Sequence, residues 1–164
     1  MKHISCVLLS IALLLSLAGC RSREENMVSF YYCRSLEDYQ YFEEDGVIRA
    51  ESRELTSHRN DLRYMLGLYL AGPLEAGLES PFSPKAKLLD VQKADNTIQI
   101  ELSDQKNSLT DSEFSLACAC LTLTCMSFSP CSEVTVISGE RTITMNADSI
   151  MLFDTLPMQE TSGG

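Results

Sequence analysis

Two runs of alternating polarity meet at Asp95-Asn96, and no other pattern constrains the chain as tightly. From Lys87 to Lys93 the alternation sets Leu89 and Val91 on one side, and from Thr97 to Leu102 it sets Ile98, Ile100 and Leu102 on one side. Successive strand side chains point to opposite faces, so the two arms predict a hairpin with one buried face. Just upstream the period changes. Leu62, Met65, Leu66 and Tyr69 recur at helical spacing, with Asn60 or Asp61 available as N-cap or first-turn acid. Gly72 releases that helix and Pro73 stops it. Ser80-Pro81-Phe82-Ser83-Pro84 reads as loop.

The second half repeats the scheme. Thr110-Asp111-Ser112-Glu113 is a capping box, in which a hydroxyl and a glutamate each satisfy a free backbone N–H of the other. The helix it opens carries Phe114, Ala117, Cys118, Leu121, Cys125 and Phe128 on one face, widened by Leu116, Cys120 and Leu123. So broad an apolar band predicts deep burial against a sheet. Ser129-Pro130 ends it. Glu133 to Ser138 reads as a strand, Ser138-Gly139-Glu140 as a turn, Arg141 to Met145 as a strand pairing back, and Ile150 to Phe153 as a last strand. Before the first helix, Val28 to Cys33 reads as a strand, Gly46 to Arg49 as a short second one, and Glu51 to Asn60 as a charged connection.

Residues 1–19 read as a lipoprotein signal peptide. Lys2 is a short positive region, and Ile4 to Leu17 is an apolar run too short to span a bilayer comfortably. It ends in Leu17-Ala18-Gly19-Cys20, which resembles the bacterial lipobox. That resemblance makes Cys20 the lipidated first residue of the mature chain, with residues 20–27 as a lipidated tether. Without Lys2 the 13 basic residues fall to 12 against 23 acidic ones, a formal charge of −11. Such a chain does not bind nucleic acid or anionic lipid by charge. Attachment to the membrane therefore falls to the acyl chains on Cys20. Residues 28–154 read as the folded domain and 155–164 as a disordered tail.

Arg34 to Asp45 places Tyr39, Tyr41 and Phe42 among five carboxylates. Tyrosines among polar groups suit an interaction surface, and they also suit a solvated loop whose rings cover a sheet edge. His58 stands alone on the charged connection, with no evident nucleophile or acid beside it. Of seven cysteines, Cys6 goes with the signal peptide and Cys20 is the anchor. The other five are Cys33, Cys118, Cys120, Cys125 and Cys131, with no Cys-x-x-Cys spacing among them. Cys118 and Cys120 point about 200° apart on a helix, and Cys118 and Cys125 are about 10 Å apart along it, so neither pair can bridge. The helix cysteines read as small buried hydrophobes. A disulfide of Cys131 with Cys33 or with Cys125 stays open. No zinc, calcium, phosphate-loop or hydrolase motif is present.

Several motifs carry a family resemblance in order and spacing. Helix one leads into Leu70-Ala71-Gly72-Pro73. Gly77-Leu78-Glu79-Ser80-Pro81-Phe82-Ser83-Pro84 follows, then Lys87 to Val91 and Ile98 to Ser103. Leu121 to Thr124 and Val134 to Glu140 come later, with Asp45 to Ile48 and Glu51 to Leu55 upstream. Over about residues 28–140 these resemble the GerM-type (GerMN) domain of sporulation and spore-germination proteins, with Gly72, Pro73, Gly77, Leu78 and Pro84 as motif residues. The resemblance implies a single α+β domain, two helices packed on a mixed or antiparallel β-sheet, similar to the ring-building folds of envelope secretion complexes. It implies an exported lipoprotein on the extracytoplasmic face of the cell membrane, with an envelope protein partner. It implies protein–protein work and no catalysis, and the residues offer no motif for a cofactor or metal. The competing expectation is a ligand-binding or sensing surface lipoprotein, with Tyr39, Tyr41 and Phe42 lining its site.

Overall fold

The computed structural model describes residues 26–35 and 46–150. Strands β1 (Met27–Arg34), β2 (Ile48–Glu54) and β3 (Leu78–Glu79) form one sheet in the order β2-β1-β3. Strands β4 (Leu88–Ala94), β5 (Thr97–Leu102), β6 (Glu133–Ser138) and β7 (Arg141–Asn146) form a second sheet in that order. Helix α1 (Leu62–Leu70) precedes β3, and helix α2 (Asp111–Phe128) joins β5 to β6. The expected α+β domain with two helices is present, but the expected single sheet is divided into two.

The second sheet is mixed. β4 and β5 make the expected antiparallel hairpin, turning at Asp95, whose φ is +51°, while β6 lies parallel to β5. A parallel neighbour needs a crossover, and α2 is that crossover. Ile98 and Ile100 of β5 stand beside Val134 and Val136 of β6, and all four are fully buried. The first arm of the hairpin departs from expectation. The alternation predicts Leu89 on the buried side with Val91, yet it is 52 % exposed. A register shift between Leu88 and Asp90 inserts one residue, so Leu88 packs on the core in its place. A bulge moves later side chains to the opposite face, and alternation alone does not mark it.

Both helix starts behave as the sequence predicts. The Asp61 carboxylate accepts from the Tyr64 N–H at 3.0 Å, and Thr110 and Glu113 complete the capping box. Helix α2 is buried on more than one face. Phe114, Ala117, Cys118, Leu121 and Cys125 join the core, and so do Cys120, Thr122 and Thr124. The reason lies in β1. Its Cys33-Arg34 end pairs with β3, and farther back the same edge has no described strand beside it. There α2 supplies the missing partners. The Tyr31 N–H donates to Thr124 Oγ1 at 2.9 Å, and the Ser127 hydroxyl donates to the Ser29 carbonyl at 2.6 Å.

Other boundaries shift slightly. Met27, which the sequence puts in the tether, is the first residue of β1, and β2 runs on through Glu51–Glu54, which the sequence puts in the charged connection. A short 3₁₀ turn, Ala147–Ser149, follows β7, and Ile150 is not in a strand. The remainder of that predicted strand, the tail, the signal peptide and most of the tether lie outside the described residues.

Thr124→Val keeps the shape of the side chain and leaves the Tyr31 N–H without its acceptor. It is expected to destabilise the domain by about 1–3 kcal/mol in urea titrations. The exposed helix hydroxyl of Ser115 only bonds back to Asp111, and Ser115→Ala is expected to stay within about 0.5 kcal/mol.

Candidate functional site

The most developed polar arrangement sits where α1 ends. Gly72 has φ of +95°, which turns the chain out of the helix, and its N–H donates to the Tyr69 carbonyl at 3.0 Å. An L residue is strained there, which accounts for glycine. Pro73 then directs the next two N–H groups toward β2. Leu74 and Glu75 donate to Glu51 Oε2 at 2.7 and 2.9 Å.

Glu51 and Arg53 are two apart on a strand, so their side chains share a face. Arg53 Nε donates to Glu51, and Nη2 donates to the Gly72 carbonyl at 2.9 Å and to the Tyr32 hydroxyl at 3.1 Å. Their side chains are only 10 % and 6 % exposed for Arg53 and Glu51 respectively. A guanidinium at a helix C-terminus meets the negative end of the helix dipole. The same guanidinium lies 4.6 Å from the centre of the Phe30 ring. Tyr32 passes the network on, donating to the Tyr69 carbonyl at 3.1 Å while its ring stacks on Tyr69 with centroids 5.0 Å apart.

The ionisation states follow from this packing. Burial works to raise the Glu51 carboxyl, but the Arg53 hydrogen bond and the Glu75 and Leu74 N–H groups outweigh it and hold the group below the ordinary glutamate value. Burial pushes the Tyr32 phenol up to about 12 despite the nearby Arg53, so it stays protonated and able to donate.

Above this network β2, α1 and the Gly72-Pro73 loop border a groove of about 570 Å³. Its walls include Glu54, Leu55, Tyr64, Leu68, Leu74 and Glu75. Leu74 is 81 % exposed and Tyr64 41 %. On its outer side β2 meets no described strand. The groove therefore combines apolar side chains, an acidic rim and a strand edge, which are elements of a binding surface.

The motif residues divide by position. Gly72 and Pro73 shape this corner. Gly77, with φ of +85°, offers its carbonyl to the Ser35 N–H at 2.9 Å, and Leu78 pairs with Arg34. Pro84 is exposed in the next loop, apart from the others. These residues shape the backbone. Tyr39, Tyr41, Phe42 and Cys20 lie outside the described residues. Glu51 and Arg53, the centre of the corner, escaped the sequence reading because an acid and a base two apart look the same on a strand and on a solvated connection.

His58 is exposed with φ of +61°, and its ring rests 4.9 Å from that of Tyr64. Among the described residues no three His, Cys, Asp or Glu side chains gather as metal ligands. The five cysteines are all unbridged. Cys118, Cys120 and Cys125 are buried, as small hydrophobes should be. The near contact is neither of the two pairings left open by the sequence: Cys33 Sγ lies 4.0 Å from Cys120 Sγ.

A family model described as "Germane: Sporulation and spore germination" matches residues 34–142. Three solved structures are similar. The tandem GerMN domains of the sporulation protein GerM from Bacillus subtilis align with TM-score 0.48 and 18 % identity, over 70 % of this chain and 39 % of that one. The first GerMN domain of the same protein aligns with TM-score 0.48 and 15 % identity, over 71 % and 85 %. A candidate lipoprotein from Clostridium perfringens aligns with TM-score 0.44 and 12 % identity, over 74 % and 87 %. This chain thus spans about two-fifths of the tandem structure. No curated protein matches it.

Glu51→Gln removes one charge from the pair and leaves Arg53 buried without its counter-ion. The expected loss is roughly 3 kcal/mol at neutral pH. The folded Glu51 titrates below its unfolded value, so its contribution is complete above about pH 4.5 and is lost as pH falls through the lowered folded value. Urea titrations of both proteins at pH 7 and pH 3 should show the gap narrowing; a gap independent of pH would exclude the ion pair as its source.

Proposed function

The chain belongs to the Germane family of sporulation and spore germination, and from that premise we propose that it is a lipid-anchored extracytoplasmic protein whose domain is a non-catalytic interaction module in a cell-envelope assembly. The observation that carries the anchoring is Leu17-Ala18-Gly19-Cys20 after the apolar run from Ile4 to Leu17. Small residues fit the pocket of a lipoprotein signal peptidase, and the cysteine thiol is the lipid acceptor. Acyl chains contribute about 0.8 kcal/mol per buried CH₂. A mature chain with formal charge −11 needs that contribution, because it gains no attraction to anionic headgroups. No helix among the described residues is long and apolar enough to cross a membrane.

The interaction role is supported by the groove beside β2, with Leu74 and Tyr64 exposed along it. Tyr39, Tyr41 and Phe42, on the segment that leads into β2, are the further candidate contacts. The partner is an envelope protein, and the family's setting is sporulation or germination.

Anchoring is tested with Cys20→Ser in cells fed a labelled palmitate analogue. The parent chain should carry label and leave membranes only with detergent, whereas the variant should carry none and keep its signal peptide. Equal labelling of both would overturn the anchor. The partner is tested by photocrosslinkers at Tyr41 and Arg63 in intact cells, where one envelope protein should dominate the captured material. Capture of no protein at either position would remove the interaction role.

A further inference from the structure

The five cysteines of the folded domain include one pair placed for chemistry. Cys33 ends the run of β1 that α2 supports, and Cys120 sits on the α2 face that supplies Thr124 and Ser127. Their sulfurs are 4.0 Å apart, against the roughly 2.05 Å of a disulfide. The sulfurs need to approach by about 2 Å to bond, and the flanking hydrogen bonds already hold strand and helix together. Cys33 is half-buried and Cys120 fully buried, so only one of the two meets solvent.

We propose that Cys33 and Cys120 are a redox-active pair, in which Cys33 reacts with a low-molecular-weight disulfide and Cys120 resolves the adduct to a Cys33–Cys120 disulfide. In the first step the Cys33 thiol loses its proton and the thiolate attacks one sulfur of RS–SR. The RS–SR bond breaks, a Cys33–SR bond forms, and RS⁻ leaves and takes up a proton. In the second step Cys120 gives up its proton and attacks the Cys33 sulfur, expelling the second RS⁻, which leaves as RSH. Two protein thiols are oxidised and one RS–SR is reduced to two RSH. The ionisation pattern agrees with this order. Contact with Cys120 holds the Cys33 thiol below its ordinary value, against burial and Glu79, while that same contact and burial push Cys120 up. The lower thiol is the solvent-reachable attacker and the higher one waits inside.

The other cysteines lack this placement. Cys118 turns about 200° away from Cys120 on the helix, and burial pushes it up to about 12. Cys125 is buried and raised further, with Cys131 as its neighbour. The bond would join residues 87 apart in sequence, the range in which a cross-link constrains the unfolded chain strongly. It would fasten β1 to α2 at the edge that Thr124 and Ser127 hold. The oxidising surroundings this calls for rest on the extracytoplasmic location proposed above; the thiol chemistry does not, so a purified protein tests it separately.

The full chain, extracted in detergent, is incubated with oxidised glutathione, free thiols are alkylated, and tryptic peptides are read without reduction. Cys33 lies in peptide 24–34, and Cys118, Cys120, Cys125 and Cys131 share peptide 107–141. The two peptides should appear joined, with fragmentation at Ala119 and again between Leu121 and Thr124 placing the link on Cys120 rather than on Cys118, Cys125 or Cys131. Cys33→Ser and Cys120→Ala should each abolish the joined species, and Cys118→Ala should retain it. The oxidised parent chain should melt roughly 10 °C above its reduced form, and oxidised Cys33→Ser should show no such rise. A Cys33 that stays reduced, keeps its glutathione, or joins any other cysteine overturns the proposal.

Discussion

The structure depends on α2 being used on more than one face. Among the described residues, two sheets with no ladder between them share one apolar core, and α2 packs on both. As the crossover between parallel β5 and β6 it covers the second sheet, and Arg141 of β7 stacks on its Phe114 ring at 4.2 Å. Through Thr124 and Ser127 it also acts as the missing neighbour of β1. A strand edge buried against a helix carries N–H and C=O groups that the helix backbone cannot satisfy, because helix backbone groups bond within the helix. Only side chains can reach them, and short hydroxyl side chains can do so without spending apolar surface. This explains why threonine and serine interrupt an otherwise apolar helix. Thr124 is satisfied in turn by donating to the Cys120 carbonyl at 2.8 Å.

The second constraint is the corner after α1. A short helix ending inside a fold leaves carbonyls facing inward. Here Arg53 and Tyr32 supply donors to the Gly72 and Tyr69 carbonyls, while Glu51 collects the N–H groups of the loop. The Gly72-Pro73 motif and the buried ion pair are therefore one device. The motif sets the direction of the loop backbone, and the pair binds the groups so exposed. The groove is built on this corner, so its exposed residues are carried by a rigid support.

Much of the architecture was legible in local pattern. Helical spacing, two N-caps, Gly72-Pro73 and the hairpin at Asp95-Asn96 each reflect a short-range rule, and each appears in the structure, with the first arm of the hairpin correct only beyond its bulge. Leu89 shows where such a rule ends. Its exposure comes from a bulge, which is decided by how β4 meets β5 and β5 meets the core. Glu51 shows a second limit. Its role depends on a loop 23 residues later, and nothing in Glu51-Ser52-Arg53 announces that partner.

By itself the sequence determined both helices and their starts, the hairpin and most of the longer strands, and the acidic balance that rules out binding by positive charge; the two-residue β3 was not legible in it. The lipid anchor proposed from Leu17-Ala18-Gly19-Cys20 likewise rests on the sequence alone, because a signal peptidase recognises a short run of residues and not a fold. The tertiary structure decided the division into two sheets, the parallel seating of β6 and the engagement of β1 by α2. It also decided which thiols meet. Cys33 and Cys120 are 87 positions apart, and spacing rules for cysteines describe neighbours in sequence. Only the packing of a strand edge on a helix brings these two sulfurs together.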